Sequence, residues 1–331
     1  MMQSRAVLLR RRPVGMPMPD DFELRASDLG PRARGFVRVK NRFVSIDPYM
    51  RGRMAGRAGY AASFALGETV PGRTIGEVIE SDGPLKPGAL VRTLSGWREV
   101  FDARPDEIET LDPRGLPPET FLGVAGVSGL SAYAGLTRIA QLKPGETLFV
   151  SAASGAVGSV ACQLGRIMGA RVVGSAGGPA KCAFLREIGV DAVIDYKAES
   201  DLAAALARAA PGGIDVYFDN VGGAHLDAAV GALRPFGRIA ICGMISAYNA
   251  DGPQPGPNLM QLVGRSARIE GFLTANHMDL MERFIGYMAG WIASGAVKYR
   301  DTIYDGIENA PRAFIGLFRG DNFGKPLIRI A

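Results

Sequence analysis

From Thr147 onward the chain alternates short apolar runs with helical segments, and that rhythm narrows the choice of fold more than any other feature. LFVSAA, RVVGSA, AVID, DVYFDN and GRIAICG read as strands. GAVGSVACQLGRIMG, PAKCAFLREIG, ESDLAAALARA and AHLDAAVGAL read as the helices between them. Parallel neighbouring strands need a crossover connection, so repeated strand–helix alternation predicts a doubly wound parallel sheet. Residues 1–120 keep a different rhythm. AVLLR, FELRA, GFVRVKNRFVSI, GRTIGEVIES and ALVRTLSGWREVF are β-type runs broken by Pro, Gly and Asp, which predicts a compact antiparallel barrel or sandwich. Between the two regions, Glu119 to Ile139 reads as a helix rich in small residues. Beyond about residue 265 an amphipathic segment, DLMERFIGYMAGWIASG, leads back to short strands, and the closing stretch reads as helix, turn and edge strand. No internal repeat is visible, and 331 residues fit two domains at roughly 150 residues each.

The composition, 47% hydrophobic and 21% charged, supplies an ordinary core and excludes disorder as the main state. Three cysteines, Cys162, Cys182 and Cys242, are too few and too scattered for a disulfide framework, which predicts a reducing, cytoplasmic setting. The net charge is +5, with weak basic clusters at Arg10 to Arg12 and between Arg32 and Arg57. No recognition helix or stacking aromatic accompanies them, so they read as a solvated face and not as a nucleic-acid surface. The start turns charged after four apolar residues, which is not the pattern of a signal peptide. No apolar run reaches the roughly 20 residues that cross a bilayer, so a soluble protein with no membrane partner is expected.

The strongest local signal is Ala153-Ser154-Gly155-Ala156-Val157-Gly158, where the first strand ends and its helix begins. Gly155 lets backbone approach a pyrophosphate, Gly158 lets the helix pack on the strand, and the helix N-terminus offers free N–H groups and positive dipole. Ala153 occupies the first position of the usual G-x-G-x-x-G, so the motif is degenerate. A packing turn is the alternative, and the strand, turn, helix and second strand at the expected distances select the dinucleotide reading. An NAD site places a carboxylate about 20 residues past the glycines. Here that neighbourhood is Gly174-Ser175-Ala176-Gly177-Gly178 followed by Lys181, with no carboxylate before Glu187. A lysine attracts a 2′-phosphate that a carboxylate would repel, so the expected cofactor is NADPH.

Metal chemistry is not expected. His225, His277 and the three cysteines show no ligand spacing. Cys162 and Cys182 read as small packing residues, and both histidines read as polar surface groups at loop or helix-start positions. No G-x-S-x-G elbow is present, which argues against a hydrolase.

Six blocks together resemble a known family: RFVSIDPYMRGRM, GVSGLSAYAGL, SAASGAVGSVACQLGRIMGARVVGSAG, DVYFDNVGG, CGMISAYN and FRGDNFGKPL, in order along nearly the whole chain. The chain resembles the medium-chain dehydrogenase/reductase superfamily, in its zinc-independent branch of prostaglandin and leukotriene B4 reductases, alkenal double-bond reductases and curcumin reductases. The resemblance implies a GroES-like catalytic domain (1–125 and 300–331) around a Rossmann domain (126–299), and a homodimer. It implies that Gly155, Ala156, Val157 and Gly158 hold the pyrophosphate and that Lys181 and Tyr196 flank the adenosine 2′-phosphate. Asn220 would face the cofactor. Cys242, Gly243, Met244, Ile245, Ser246 and Tyr248, with Phe272, Leu273 and Thr274, would line the nicotinamide side, and Asn322 would close over it. Val127-Ser128 and Leu273-Thr274 depart from the branch's commoner residues and bear on substrate choice. The implied reaction is hydride transfer from NADPH to the β-carbon of an α,β-unsaturated ketone or aldehyde, with Tyr248 as first and Tyr49 as second candidate for the contact to the enolate oxygen. A quinone oxidoreductase, or an NADPH-binding protein without turnover, remains as an alternative.

Overall fold

A computed structural model describes residues 2–56, 61–250, 252 and 254–331; Arg57, the end of the second basic cluster, lies outside them. The chain divides into two compact units, one of Met1–Leu122 with Asp301–Ala331 and one of Gly123–Arg300.

The first unit is rich in strands. It contains β1 (Met2–Leu9), β2 (Phe22–Leu29), β3 (Val37–Ser45), the short helix α1 (Tyr49–Met54), β4 (Thr74–Ser81), β5 (Leu90–Thr93), β6 (Val100–Ala103) and β7 (Glu109–Thr110). β1 and β2 form an antiparallel pair, and β3, β4, β5 and β7 pair antiparallel in that order, with β6 also on β3. Val37, Val39, Val78, Val91, Phe101 and Ala103 share one buried cluster, the inward face expected of strands with period two. The run ALVRTLSGWREVF is two strands, β5 and β6, and not one. Gly96 between them has φ +77°, and a Cβ there would lie 2.0 Å from the Val70 carbonyl, so the chain turns where a side chain has no room.

The second unit carries α2 (Val127–Ala134), β8 (Thr147–Val150), α3 (Gly158–Ile167), β9 (Arg171–Ala176), α4 (Pro179–Glu187), β10 (Ala192–Asp195) and α5 (Leu202–Ala209). It continues through β11 (Ile214–Asp219), α6 (Gly223–Ala232), β12 (Leu233–Ile241), α7 (Met260–Arg265), β13 (Arg268–Gly271) and α8 (Met281–Ala293). The sheet order is β10-β9-β8-β11-β12-β13, with every neighbouring pair parallel. All four β8 residues are buried, as expected of a central parallel strand covered on both faces. Phe149, Val173, Tyr217 and Ile239 pack with Leu206 of α5 and Leu226, Ala229 and Val230 of α6. This is the doubly wound sheet that the alternation predicts.

The expected single helix over 119–139 is instead a 3₁₀ turn (Pro118–Leu122), α2 and a π-type turn (Gly135–Ile139). A Cβ on Gly129 would lie 1.9 Å from the Val124 carbonyl, so the chain doubles back there and cannot continue as one rod. The short elements α7 and β13 carry too little periodicity to be legible in sequence. The chain then returns to the first unit through β14 (Thr302–Asp305), α9 (Ala310–Arg319) and β15 (Pro326–Arg329). β15 pairs antiparallel with β3, and Phe314 of α9 packs on Trp97, whose ring is fully buried. No helix among the described residues is long and apolar enough to cross a membrane.

Candidate active site

Strand order reverses between β8 and β11, and ligands of open α/β sheets bind at the carboxyl edge of such a point. The turn from β8 into α3 is tight. The Gly155 N–H donates to the Ala152 carbonyl (2.9 Å), and a Cβ on Gly158 would lie 2.3 Å from that same oxygen. A Cβ on Gly155 would meet nothing within 4 Å except that carbonyl, at 3.2 Å, so its outer side is open for close approach. Ala156 and Val157 lead into the first turn of α3, which presents the positive end of its dipole here; Ser159 N already donates to the Gly155 carbonyl (3.0 Å). The turn therefore fits a pyrophosphate.

At the end of β9 the chain passes Gly177 and Gly178 (φ +95°) into α4, with Lys181 in its first turn. The carboxylate that ends β10, Asp195, is turned to backbone: it accepts from Gly178 N (2.8 Å) and Lys197 N (3.1 Å). Tyr196 and Lys197 both cross the Gly177 turn. A Cβ on Gly177 would lie 2.9 Å from Tyr196 Oη and 2.9 Å from Lys197 Cε, so glycine is what admits them. Lys197 is a cation that sequence reading misses, because its proximity to Gly177 comes from β9–β10 pairing, not from local spacing. His225 is a correction. It is not a surface group but 6% exposed, hydrogen-bonded to Ser175 Oγ (2.9 Å), and burial pushes its imidazole down to about 4.

Beyond β11 the strand end and the 242–248 loop are stitched together. Cys242 N donates to the Asp219 carbonyl (2.9 Å), Ile245 N to Asn220 (3.2 Å) and Ser246 N to Val221 (3.1 Å). Gly243 N also reaches the Asp219 carbonyl (3.2 Å), and Met244 packs on Gly222. Asn220 Nδ2 donates to the Ser151 carbonyl (2.8 Å), which ties this loop to the end of β8. Tyr248 follows a 3₁₀ turn over Ile245–Ala247, with Oη 3.0 Å from the position of a Cβ on Gly243. The Phe272 ring meets Phe218 edge-on at 6.3 Å and His277 at 6.1 Å, and Leu273 is exposed. Ser131 Oγ donates to the Val127 carbonyl (2.8 Å), so the Thr274 hydroxyl, 2.6 Å away, donates to Ser131.

Beneath this edge lies a buried polar network. Tyr217 Oη (2.6 Å), Val221 N (2.8 Å) and Gly222 N (2.9 Å) donate to Asp219 Oδ1. Burial nonetheless holds the Asp219 carboxyl above its usual range, outweighing those bonds. Cys162 and Cys182 are buried, and burial also pushes the Cys242 thiol up to about 12, so it stays protonated at neutral pH. No group of three or more His, Cys, Asp or Glu among the described residues could hold a metal ion.

The second unit thus brings Gly155–Gly158, Asn220, the 242–248 loop and Phe272–Thr274 to the ends of neighbouring strands, with Lys181 and Tyr196 at the end of β9. Tyr49 and Asn322 belong to the first unit. Tyr49 opens α1, and Asn322 Nδ2 donates to the Gly324 carbonyl (2.9 Å).

The profile described as "N-terminal domain of oxidoreductase" matches residues 5–111, and that described as "Zinc-binding dehydrogenase" matches residues 156–289. An NADPH-dependent curcumin reductase of Escherichia coli is 40% identical over 99% of this chain and 97% of its own length. The chain belongs to the medium-chain dehydrogenase/reductase family. Within that family it is similar to a 2-alkenal reductase (NADP(+)-dependent) of Nicotiana tabacum, 38% identical over 99% of this chain and 98% of the relative. The crystal structure of CurA from Vibrio vulnificus in complex with NADPH superposes with a TM-score of 0.93 at 38% identity, covering 99% of both chains. The β-rich and doubly wound units are the two parts of this reductase fold.

Proposed function

We propose that this chain reduces the carbon–carbon double bond of α,β-unsaturated ketones or aldehydes with NADPH. The observation that carries the reading is the combination of a glycine turn open to a pyrophosphate with a β9 end that leads to Lys181 and where the Asp195 carboxylate accepts from backbone. Similarity to the curcumin and alkenal reductases over nearly the full chain supports the reaction class.

When bound, NADPH supplies the hydride, which goes to the β-carbon. The chain's own part is binding, orientation and charge stabilisation. The α3 N-terminus with Gly155–Gly158 takes the pyrophosphate, and Lys181 and Tyr196 take the 2′-phosphate end. Asn220, Cys242–Ser246 and Phe272–Thr274 line the nicotinamide side. As hydride adds to the β-carbon, the π electrons move to the carbonyl oxygen, where the Tyr248 hydroxyl donates a hydrogen bond; Tyr49 is the second candidate. A proton from water then restores the α-carbon. NADPH consumption and product analysis against alkenals, aryl enones and quinones tests the reading. Turnover of quinones with no saturated ketone or aldehyde formed from any enone would replace it with quinone reduction.

The working form is a homodimer in this reading, and the compartment is the cytoplasm. β13 is an edge strand, and Leu259, Met260 and Val263 beside it are exposed apolar residues of a kind that a second copy would cover. Antiparallel pairing centred on Ile269 would set Arg268 opposite Glu270 of the other copy. Sedimentation equilibrium that returned one chain at micromolar concentration would remove the dimer from the proposal.

A further inference from the structure

The buried histidine of α6 has a neighbourhood that the reaction does not use. His225 is the third residue of α6, yet it reaches two strands and the turn after a third. Ser175, at the end of β9 and wholly buried, hydrogen-bonds its Nε2 at 2.9 Å. Phe149 of β8 lies parallel to the ring, with centroids 6.4 Å apart, and closes off that direction. On the remaining side the Tyr196 ring meets the imidazole edge-on, centroids 5.2 Å apart at 76°. Tyr196 is 40% exposed and crosses Gly177 so closely that a Cβ there would lie 2.9 Å from its Oη. Its ring is therefore held between the Gly177 backbone below and the imidazole at its side.

We propose that His225 is a positioning residue for the 2′-phosphate: anchored by Ser175 and backed by Phe149, it fixes the Tyr196 hydroxyl over Gly177, where the chain turns into the helix that carries Lys181. An exposed tyrosine at a strand end ordinarily samples several rotamers, and freezing it before binding leaves less entropy to lose when it meets the phosphate. An uncharged imidazole suits the task, since its hydrogen bond with Ser175 sets the ring's rotation and its edge supports an aromatic face. The proposal rests on the reading above that Tyr196 faces the 2′-phosphate.

The test uses the full chain and two fragments of the cofactor, 2′,5′-ADP and 5′-AMP, titrated by calorimetry. His225→Ala should weaken 2′,5′-ADP about tenfold, the low end for loss of a charge-assisted hydrogen bond, and change 5′-AMP less than about twofold. In a Tyr196→Phe background the same substitution should add no further selective loss, as a double-mutant cycle requires of residues that act through one another. His225→Phe, which keeps a ring against Tyr196, should recover most of the 2′,5′-ADP affinity. Equal weakening of both ligands, no change in either, or an undiminished effect in the Tyr196→Phe background would overturn the proposal. If His225→Ala does not fold, Ser175→Ala removes the ring's anchor alone and is read with the same two ligands. If Tyr196→Phe leaves 2′,5′-ADP binding unchanged, it is the placement of the phosphate at Tyr196 that fails. If Tyr196→Phe weakens it and His225→Ala does not, His225 alone loses its role.

Discussion

Lys325 donates its ammonium to the Asp47 carboxylate and to the Ile46 carbonyl (2.8 Å), although only 2% of the residue is exposed. The pair joins the start of β15 to the segment that opens α1, so two blocks nearly the whole chain apart in sequence are held at one place in the first unit. Burial alone would raise the Asp47 carboxyl, but Lys325 and Arg73 outweigh it and hold it below its usual range. The ion pair thereby sets the takeoff of Pro48 and Tyr49 and the start of the strand that follows Asn322.

Lys325→Met should destabilise the fold by about 3–5 kcal/mol, because it leaves a buried carboxylate without its partner. Lys325→Met with Asp47→Leu should recover much of that loss, since no unpaired charge remains. Urea unfolding at pH 7 measures both. A single variant within about 1 kcal/mol of wild type would show that the pair carries little of the fold's stability.

Cofactor choice should depend on two cations, Lys181 of α4 and Lys197 in the turn after β10, not on one. Lys181→Ala should weaken NADPH roughly 10- to 100-fold, at about 1.4 kcal/mol per decade, and leave NADH nearly unchanged. Lys197→Ala should act in the same direction but less, because Lys197 sits on the solvent side of the Gly177 turn. Equal Michaelis constants for NADPH and NADH in the wild type would remove the basis for both expectations.

Tyr248→Phe should slow hydride transfer more than it raises the Michaelis constant, because a hydrogen bond to the carbonyl oxygen strengthens as charge builds there. Loss of one oxyanion donor costs about 10²–10³ in rate, and the smaller end or less is expected, since a cofactor hydroxyl or water can substitute. NADPH affinity should hold within a few-fold because the ring remains. Single-turnover transfer to a simple enone is the measurement, and an unchanged rate constant would reduce Tyr248 to a wall and leave Tyr49 or water as the donor.

Asp301 should make the fold less stable as pH rises. Burial pushes its carboxyl up to about 6, with nearby Glu119 adding to the shift and Lys325 opposing it, and its Oδ2 has no hydrogen-bond partner. The folded state then binds more protons than the unfolded state between about pH 4 and 6, so stability present below pH 4 is lost as pH rises through 6. Asp301→Asn should raise stability at pH 7.5 by about 1–3 kcal/mol and leave pH 4 nearly unchanged. Urea midpoints at the two pH values check this, and a gain of the same size at both would show that the carboxyl's ionisation is not the cause.

Much of the site was legible without coordinates, and the reason is the range of the forces involved. The turn from β8 to α3 follows from Gly155 and Gly158, whose backbone freedom acts within a few residues. The parallel order of the sheet follows from strand–helix period, which any window of the chain displays. The split at Gly96 was not legible, because that glycine is required by a carbonyl from another part of the fold, Val70, whereas the break at Gly129 is set by the Val124 carbonyl five residues earlier and was masked by the run of small residues around it.

The amino-acid sequence by itself determined the doubly wound unit, the glycine turn from β8 into α3 and the absence of a carboxylate from the Gly174–Gly178 segment. Tertiary structure alone decided that His225 is buried against Ser175, fifty residues earlier, that Lys197 and Tyr196 share the Gly177 turn, and that Lys325 reaches Asp47. Local patterns record which conformations a segment can adopt. Burial, and the pairing of polar groups that burial demands, depends on which distant segments arrive beside it, and no window of sequence contains that.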